Sequence, residues 1–481
     1  MCGIVGFHGT SSASYETYQA LLLLQHRGQD SAGILTFAEE EKKFIQHKAL
    51  GYVSQVFQEQ LIVKLKGSIS IGHTRYSTIG DVKEADLQPL VFTHPMGLAL
   101  VQNGNLSNYH QLKKELLKEN RSFQTDNDLE IILHLMAESL GKNSFSLPNE
   151  GLFQELCQAI KNVFARVEGG YSVVGIFGER GLFGYRDPHG IRPLLFGSKR
   201  QLNGDMTYGF ASESCALTFL GYENIRDVAP GEVVFVQGGE VQHKIIQKSQ
   251  HLPCYFEWVY FSSADSTLEN QSVYEARVKL GHALANKIIA RKMMNDFDVV
   301  VPVPDTSRST AIGVAEALNI PYREGLIKNR YVQRSFIQNG QSNRNITVNL
   351  KFSVVESQVQ GKRILLVDDS IVRGTTSKKL ITLLKKFGAT SVTLASSSPP
   401  IKNPCFYGID FSTYEELISA FKSESELARE IGAKDVIFTD SEDLKIALNR
   451  NHFCQSCLTG DYLFSHKDIL EKMKSGEDFY V

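Results

Sequence analysis

Apolar and polar positions over roughly the first 240 residues alternate at the period of β-strands, in short runs closed by glycine-containing turns: KGSISIGHTRY, GLALVQNGN, YSVVGIFG, GLFGYRDP and GEVVFVQGGEV. Helical stretches such as Tyr109 to Lys118 interrupt them, which predicts a layered α+β unit with antiparallel sheets. From about residue 250 the texture changes. FDVVVPVP, a helix from Ser309 to Leu318, RILLVDD, a helix from about Ser377 and SVTLAS follow one another in the βαβα rhythm of a parallel sheet. The shift places one domain at residues 2–245 and a second at 246–481, the latter ending in a polar, helical extension from about 410. The breaker-rich segment 339–349 reads as a mobile loop.

Length and charge narrow the classes. A chain of 481 residues, 42% apolar, has room for several real cores. Its 51 Lys and Arg against 53 Asp and Glu leave a net charge of -2, which offers no overall basic field for nucleic acid, so any anion site must be local. No apolar run approaches a membrane span, and MCGIVGF lacks the features of a secretion signal, so a cytoplasmic protein is expected. Seven cysteines, an odd number, argue against a disulfide framework and for a mixture of catalytic, metal-binding and packing thiols.

Cys2 is the first candidate. Removal of Met1 would expose a thiol and a free α-amine on one residue, and the amine can take the thiol proton without a distant histidine. MCGIVGF, LQHRGQDSAG at 24–33, GHTRYSTIG at 72–80 and QNGNLSNY at 102–109 together resemble the N-terminal-nucleophile glutamine amidotransferases, an αββα fold. The resemblance implies that Cys2 attacks the glutamine amide, that Asn103 and Gly104 form the oxyanion hole, that Arg75 clamps the substrate carboxylate and that Asp128 takes its ammonium group. Asp126, in the same QTDNDLE segment, is the competing acid.

The sharpest motif of the second half is RILLVDDSIVRGTTS at 363–377. A strand from Ile364 to Val367 ends at Asp368 and Asp369. A Gly/Thr/Ser loop follows, and then Leu380, Leu383, Leu384 and Phe387 mark an amphipathic helix closed near Gly388. Strand, loop and helix N-terminus make an anion site, and the hydroxyls of Ser370, Thr375, Thr376 and Ser377 add donors beside Gly374. Two carboxylates beside a phosphate need sugar hydroxyls or Mg2+. The motif resembles the phosphoribosylpyrophosphate loop of type I phosphoribosyltransferases, with Thr306 in VVVPVPDTS as a third oxygen for Mg2+ beside Asp368 and Asp369. Lys328, Arg330, Arg334, Arg344, Lys351 and Arg373 form a local basic cluster, from which Lys328, Arg334 and Arg373 are taken as substrate contacts.

Cys454 and Cys457 form a C-x-x-C in HFCQSCLTGDY, and Cys254 and Cys405 sit in similar Pro-Cys-aromatic settings. Four thiolates suit either zinc or an iron–sulfur cubane, and residue chemistry alone leaves both open. The whole chain, including RDPHGIRPL and ASESCAL, resembles the glutamine phosphoribosylpyrophosphate amidotransferases, the amidophosphoribosyltransferase family. Members with cysteines at these four places carry a 4Fe-4S cluster, which implies one here and leaves Cys157 and Cys215 as packing thiols. The same resemblance implies the first committed step of purine synthesis, from glutamine, phosphoribosylpyrophosphate and water to phosphoribosylamine, glutamate and pyrophosphate, with ammonia passed between two sites. It further implies purine nucleotide inhibitors and a homodimer or homotetramer. An amino-sugar amidotransferase would share the first half but not RILLVDDSIVRGTTS, and a non-catalytic phosphoribosylpyrophosphate sensor would leave Cys2 unexplained.

Overall fold

The computed structural model describes residues 2–76, 83–93, 97–140, 147–329, 352–411 and 413–465. Two antiparallel sheets stack face to face in the first half. One has seven strands in the order Glu223–Asp227, Leu195–Arg200, Met206–Ala211, Gly3–His8, Ile69–Arg75, Ser31–Ala38 and Lys43–Leu50. The other has six: Glu240–Ile245, Glu232–Gln237, Leu182–Arg186, Gly169–Phe177, Leu98–Leu106 and Leu90–Phe92.

The period-2 pattern explains the layers. Ile4, Leu35, Ile69 and Ile71 of the first sheet meet Ala99, Val101, Val174 and Val234 of the second in one buried core. The opposite residues of the same strands, Val5, Phe7 and Ile34, pack outward under the helix Ala13–Leu23. On the far side, Leu100, Val173 and Phe235 lie beneath the helices Leu129–Ser139 and Asn149–Arg166. Central strands such as Gly169–Phe177 are therefore buried along their whole length.

The second half carries a parallel sheet ordered Val299–Pro302, Arg363–Asp368, Ser391–Ser396 and Val436–Phe438. Alternation sorts its side chains: Ile364 and Leu366 face the helices Thr375–Lys386 and Glu424–Ile431, while Leu365 and Val367 face Val273–Ala290 and Arg308–Leu318. The region after 410 is not purely helical as expected. Val436–Phe438 is a strand and extends the sheet, because its three buried side chains complete both faces beside Ser391–Ser396. The helix Tyr109–Lys118 occupies its expected bounds, and Arg363–Asp368 contains the expected strand. Segment 339–349 lies outside the described residues, as do Arg330, Arg334, Arg344 and Lys351. No described helix is long and apolar enough to cross a membrane.

Candidate active sites

Cys2 stands at the mouth of the central strand Gly3–His8, held from two sides. Its N–H donates to Asn103 Oδ1 at 3.2 Å, and its carbonyl accepts from Arg27 Nε at 3.0 Å. Asn103 is fully buried on the strand Leu98–Leu106, and its Nδ2 has no partner among the described residues. Gly104 follows with φ +144, a backbone that favours glycine, and a Cβ there would lie 2.1 Å from the Gly170 carbonyl. An unpaired amide N–H₂ beside a thiol is what a developing oxyanion requires.

Arg75 ends its strand half-buried, with Nη1 on the Asp86 carbonyl at 2.9 Å. Asp128 Oδ2 accepts from Leu106 N at 2.9 Å and Gln102 Nε2 at 3.2 Å, which turns this carboxyl toward the strand that carries Asn103. Burial pushes its pKa upward, against those two hydrogen bonds and the charge of Arg75. Asp126 faces elsewhere: Lys83 at 2.7 Å and Lys113 at 2.9 Å hold its carboxylate down to about 2 at the surface. Among the described residues neither His26 nor His73 is hydrogen-bonded to Cys2. His26 Nε2 is 2.8 Å from Glu213, and His73 is buried with both ring nitrogens unpartnered among the described residues, pushed down to about 3 by burial and the Arg75 charge. A neutral His73 is no proton shuttle at physiological pH.

The second site is a cavity of about 350 Å³ at the carboxyl end of the parallel strands. Asp368, Asp369, Thr306, Lys328, Arg373 and the run Gly374–Ser377 all line it. Gly374 has φ +70 at the start of the helix Thr375–Lys386, and this left-handed residue turns the loop so that the helix N-terminus faces the cavity. Asp368 and Asp369 are both pushed up, Asp369 to about 6, by burial and, for Asp368, by the neighbouring carboxylate. Ser370 Oγ donates to Asp369 at 2.7 Å. Lys328 Nζ lies 3.1 Å from Asp305, and Arg373 is paired with Glu416, so both cations must exchange partners to reach a ligand. Arg334 lies outside the described residues. The wall also includes Phe256, Tyr260, Phe261 and Tyr76, the last being the residue after Arg75.

Two crowded carboxylates and a hydroxyl fit Mg2+, which keeps several waters and takes oxygen from substrate phosphates instead of a closed protein cage. Among the described residues no three His, Cys, Asp or Glu side chains close on one point.

That observation bears also on the four cysteines. Cys254 and Cys454 bridge neighbouring backbones, with Cys454 N on the Pro253 carbonyl at 2.9 Å. Burial, then the charges of the other three, pushes the Cys457 thiol well up. The Cys454 thiol rises to about 11 by burial and Cys405. Tyr407 N–H donates to Cys405 Sγ at 3.4 Å, and Cys457 Sγ lies 3.9 Å from the Tyr255 hydroxyl. The four thiols thus lie near enough for each charge to act on the others, and four cysteine sulfurs are a donor set that suits either zinc or an iron–sulfur cluster. Cys157 is buried in a separate core beneath the helix Asn149–Arg166, whereas Cys215 is buried in the same core as Cys254 and Cys457, with Sγ 3.8 Å from Glu213.

Sequence reading missed the buried charges that tie these parts together. Arg27, Glu213, Glu257, Arg192 and Arg277 are all buried, and LQHRGQDSAG contains Arg27. RDPHGIRPL contains Arg192 and ASESCAL contains Glu213, but nothing local in either string marks an ion-pair partner.

Comparisons with known proteins agree with this two-site architecture. A glutamine amidotransferase domain family matches residues 73–219, and a phosphoribosyl transferase domain family matches 270–400. The amidophosphoribosyltransferase of Pseudomonas aeruginosa is 40% identical over 471 residues, covering 96% of this chain and 93% of the relative. That of Pasteurella multocida is 41% identical over 474 residues, with coverage of 96% and 93%. A solved structure of glutamine phosphoribosylpyrophosphate amidotransferase from B. subtilis, complexed with ADP and GMP, superposes with a TM-score of 0.86 at 38% identity, covering 97% of this chain and 98% of that one.

Proposed function

Because the chain belongs to the amidophosphoribosyltransferase family, we propose that its two sites divide one reaction, Cys2 releasing ammonia and the Asp368–Ser377 cavity consuming it. The activity is the first step of purine biosynthesis: glutamine, phosphoribosylpyrophosphate and water give phosphoribosylamine, glutamate and pyrophosphate.

With Met1 removed, the α-amine of Cys2 takes the thiol proton, and Sγ attacks the side-chain amide of glutamine. The tetrahedral oxyanion takes its hydrogen bonds from Asn103 Nδ2, left unpaired for that purpose, and from Gly104 N–H. Arg75 and Asp128 hold the carboxylate and ammonium ends of the substrate, leaving the amide over Sγ. The amine returns its proton to the departing ammonia, and water then opens the thioester to glutamate.

In the second site the helix N-terminus at Thr375–Ser377 receives the 5-phosphate, and Asp368 and Asp369 face the ribose hydroxyls. Thr306, Asp368 and Asp369 would hold Mg2+, which when bound neutralises charge on the leaving pyrophosphate. Lys328 and Arg373, released from Asp305 and Glu416, add positive charge to the same group. Ammonia then attacks C1 of the ribose, and Phe256, Tyr260 and Phe261 keep water from competing. Cys254, Cys405, Cys454 and Cys457 would hold a 4Fe-4S cluster, which when bound cross-links three distant segments.

The carrying observation is that Tyr76, next to Arg75 of the glutamine site, forms part of the wall above Asp368 and Asp369. The nucleotides in the B. subtilis complex support purine nucleotides as regulators here. The test is stoichiometry: glutamate and pyrophosphate should form one for one from glutamine and phosphoribosylpyrophosphate. Glutamate without matching pyrophosphate would break the link between the sites.

A further inference from the structure

The two charged groups that take the ends of glutamine come from different layers of the first domain. Arg75 ends the strand Ile69–Arg75 of the seven-stranded sheet, and Asp128 precedes the helix Leu129–Ser139, which covers the six-stranded one. A continuous run of hydrogen bonds joins them. Arg75 Nη1 donates to the Asp86 carbonyl at 2.9 Å, and Asn127 Nδ2 donates to the same oxygen at 2.7 Å. Asn127 Oδ1 accepts from Gln88 Nε2 at 3.4 Å and from Leu129 N at 3.0 Å. Gln88 Oε1 accepts from Gln102 N at 2.7 Å, and Gln102 Nε2 donates to Asp128 Oδ2 at 3.2 Å. Asp86, Gln88, Gln102 and Asn127 are all buried.

The segments that carry this run are themselves held. The Asp86 carboxylate accepts from Asp126 N at 2.8 Å, and buried Glu130 takes Gln124 N and Thr125 N at 2.8 Å each. Lys48 Nζ reaches from the strand Lys43–Leu50 to the Leu87 carbonyl at 2.6 Å and the Pro89 carbonyl at 3.1 Å. The ammonium and carboxylate of an α-amino acid sit on one carbon. The protein charges that receive them must therefore keep one separation, and a misplacement of about 1 Å is costly. We propose that Asn127 and Gln88 are positioning residues that fix the separation of Arg75 and Asp128, and so set the site's preference for a ligand with an α-ammonium group. This rests on the reading of Arg75 and Asp128 as the carboxylate and ammonium sites.

The direction of the effect follows from which contacts survive. Asn127→Ser keeps a side-chain oxygen for the turn to Leu129 N but is too short to bridge Asp86 and Gln88. Arg75 still binds a carboxylate, while Asp128 loses its fixed distance from it. A ligand that carries both charges therefore loses affinity, whereas one that carries the carboxylate without the ammonium does not. Gln88→Met keeps an unbranched side chain, removes both amide contacts and cuts the run at its next link. Neither Asn127 nor Gln88 lines the phosphoribosyl cavity.

The experiment uses the full chain as wild type, Asn127→Ser, Gln88→Met and Asp128→Asn. Glutamine-dependent synthesis gives kcat and KM, and L-glutamate and glutarate are each titrated as competitors of glutamine. These two competitors differ only in the α-ammonium group. Ammonia-dependent synthesis is measured in parallel. In Asn127→Ser and Gln88→Met, KM for glutamine and Ki for L-glutamate should rise about tenfold, as for loss of a charge-assisted hydrogen bond. Saturated kcat, Ki for glutarate and ammonia-dependent synthesis should each stay within about twofold of wild type. A wild-type KM in either variant overturns the role of that residue. L-glutamate and glutarate weakened by the same factor, or loss of ammonia-dependent synthesis in both variants, makes the run a fold element and overturns the positioning role. Asp128→Asn separates this proposal from the reading beneath it, since it should bring Ki for L-glutamate close to that for glutarate. An Asp128→Asn enzyme that still prefers L-glutamate overturns the underlying reading and this proposal with it. Loss of that preference in Asp128→Asn, beside wild-type behaviour of Asn127→Ser and Gln88→Met, overturns this proposal alone.

Discussion

Asn103 holds the Cys2 N–H with its oxygen and keeps its amide nitrogen buried and unpaired. One side chain thus orients the nucleophile and presents a donor. Asn103→Asp keeps the acceptor and removes the donor. Glutamine-dependent kcat should fall on the order of 10²–10³-fold, as for loss of one oxyanion donor. KM for glutamine and ammonia-dependent synthesis should stay near wild type in steady-state assays.

Asp128 and Asp126 separate the two acids of one segment. Asp128 faces the Asn103 strand, while Asp126 is fastened to Lys83 and Lys113 at the surface. Asp128→Asn should raise KM for glutamine by about tenfold or more, as expected when a charged hydrogen bond to substrate is lost. Asp126→Asn should leave it within about twofold, since exposed pairs contribute about 0–1 kcal/mol.

Asp369 gives a pH-dependent stability of determined sign. Burial lifts its carboxyl to about 6, above the value of about 3.9 for an unfolded Asp. Between those values the folded chain holds a proton that the unfolded chain has released, so stability is full below about pH 4 and falls as pH rises through 6. Asp368 is pushed up with it, by burial and by Asp369, so the pair titrates together. At pH 8 without divalent cations, Asp369→Asn should be more stable than wild type by up to about 3 kcal/mol, and the gain should vanish below pH 4. Adding Mg2+ at pH 8 should raise the wild-type Tm and leave the Asp368→Asn/Asp369→Asn double variant unchanged. Calorimetry across pH with and without Mg2+ checks both statements.

The four-cysteine centre is testable by its metal. Anaerobically purified protein should contain iron and sulfide in equal amounts with broad visible absorbance, and Cys254→Ser should lose both. Stoichiometric zinc with a featureless visible spectrum would contradict the cluster.

What could be read in advance depended on how local the information is. Asp368 to Ser377 and Asn103–Gly104 are legible because strand end, glycine and hydroxyls lie within one short string that builds its own loop. The strand Val436–Phe438 was hidden, since three apolar residues between polar helices carry no period of their own. Glu257 was equally hidden: its partner Arg27 is 230 residues away, and an ion pair at that separation exists only once both halves have folded together. Lys328 and Arg373 lay in a readable basic cluster, but their present partners, Asp305 and Glu416, come from other elements. Residue type identified the chemistry, and tertiary packing decided which oppositely charged groups meet.

The central claim is that one chain runs two chemistries joined by ammonia, and exchanging the nitrogen source on Cys2→Ala tests it most directly. The variant should release no glutamate from glutamine above background, yet form phosphoribosylamine from phosphoribosylpyrophosphate and supplied ammonia at close to the wild-type rate. Glutamine-dependent product from Cys2→Ala, or loss of the ammonia reaction in a folded variant, would contradict it.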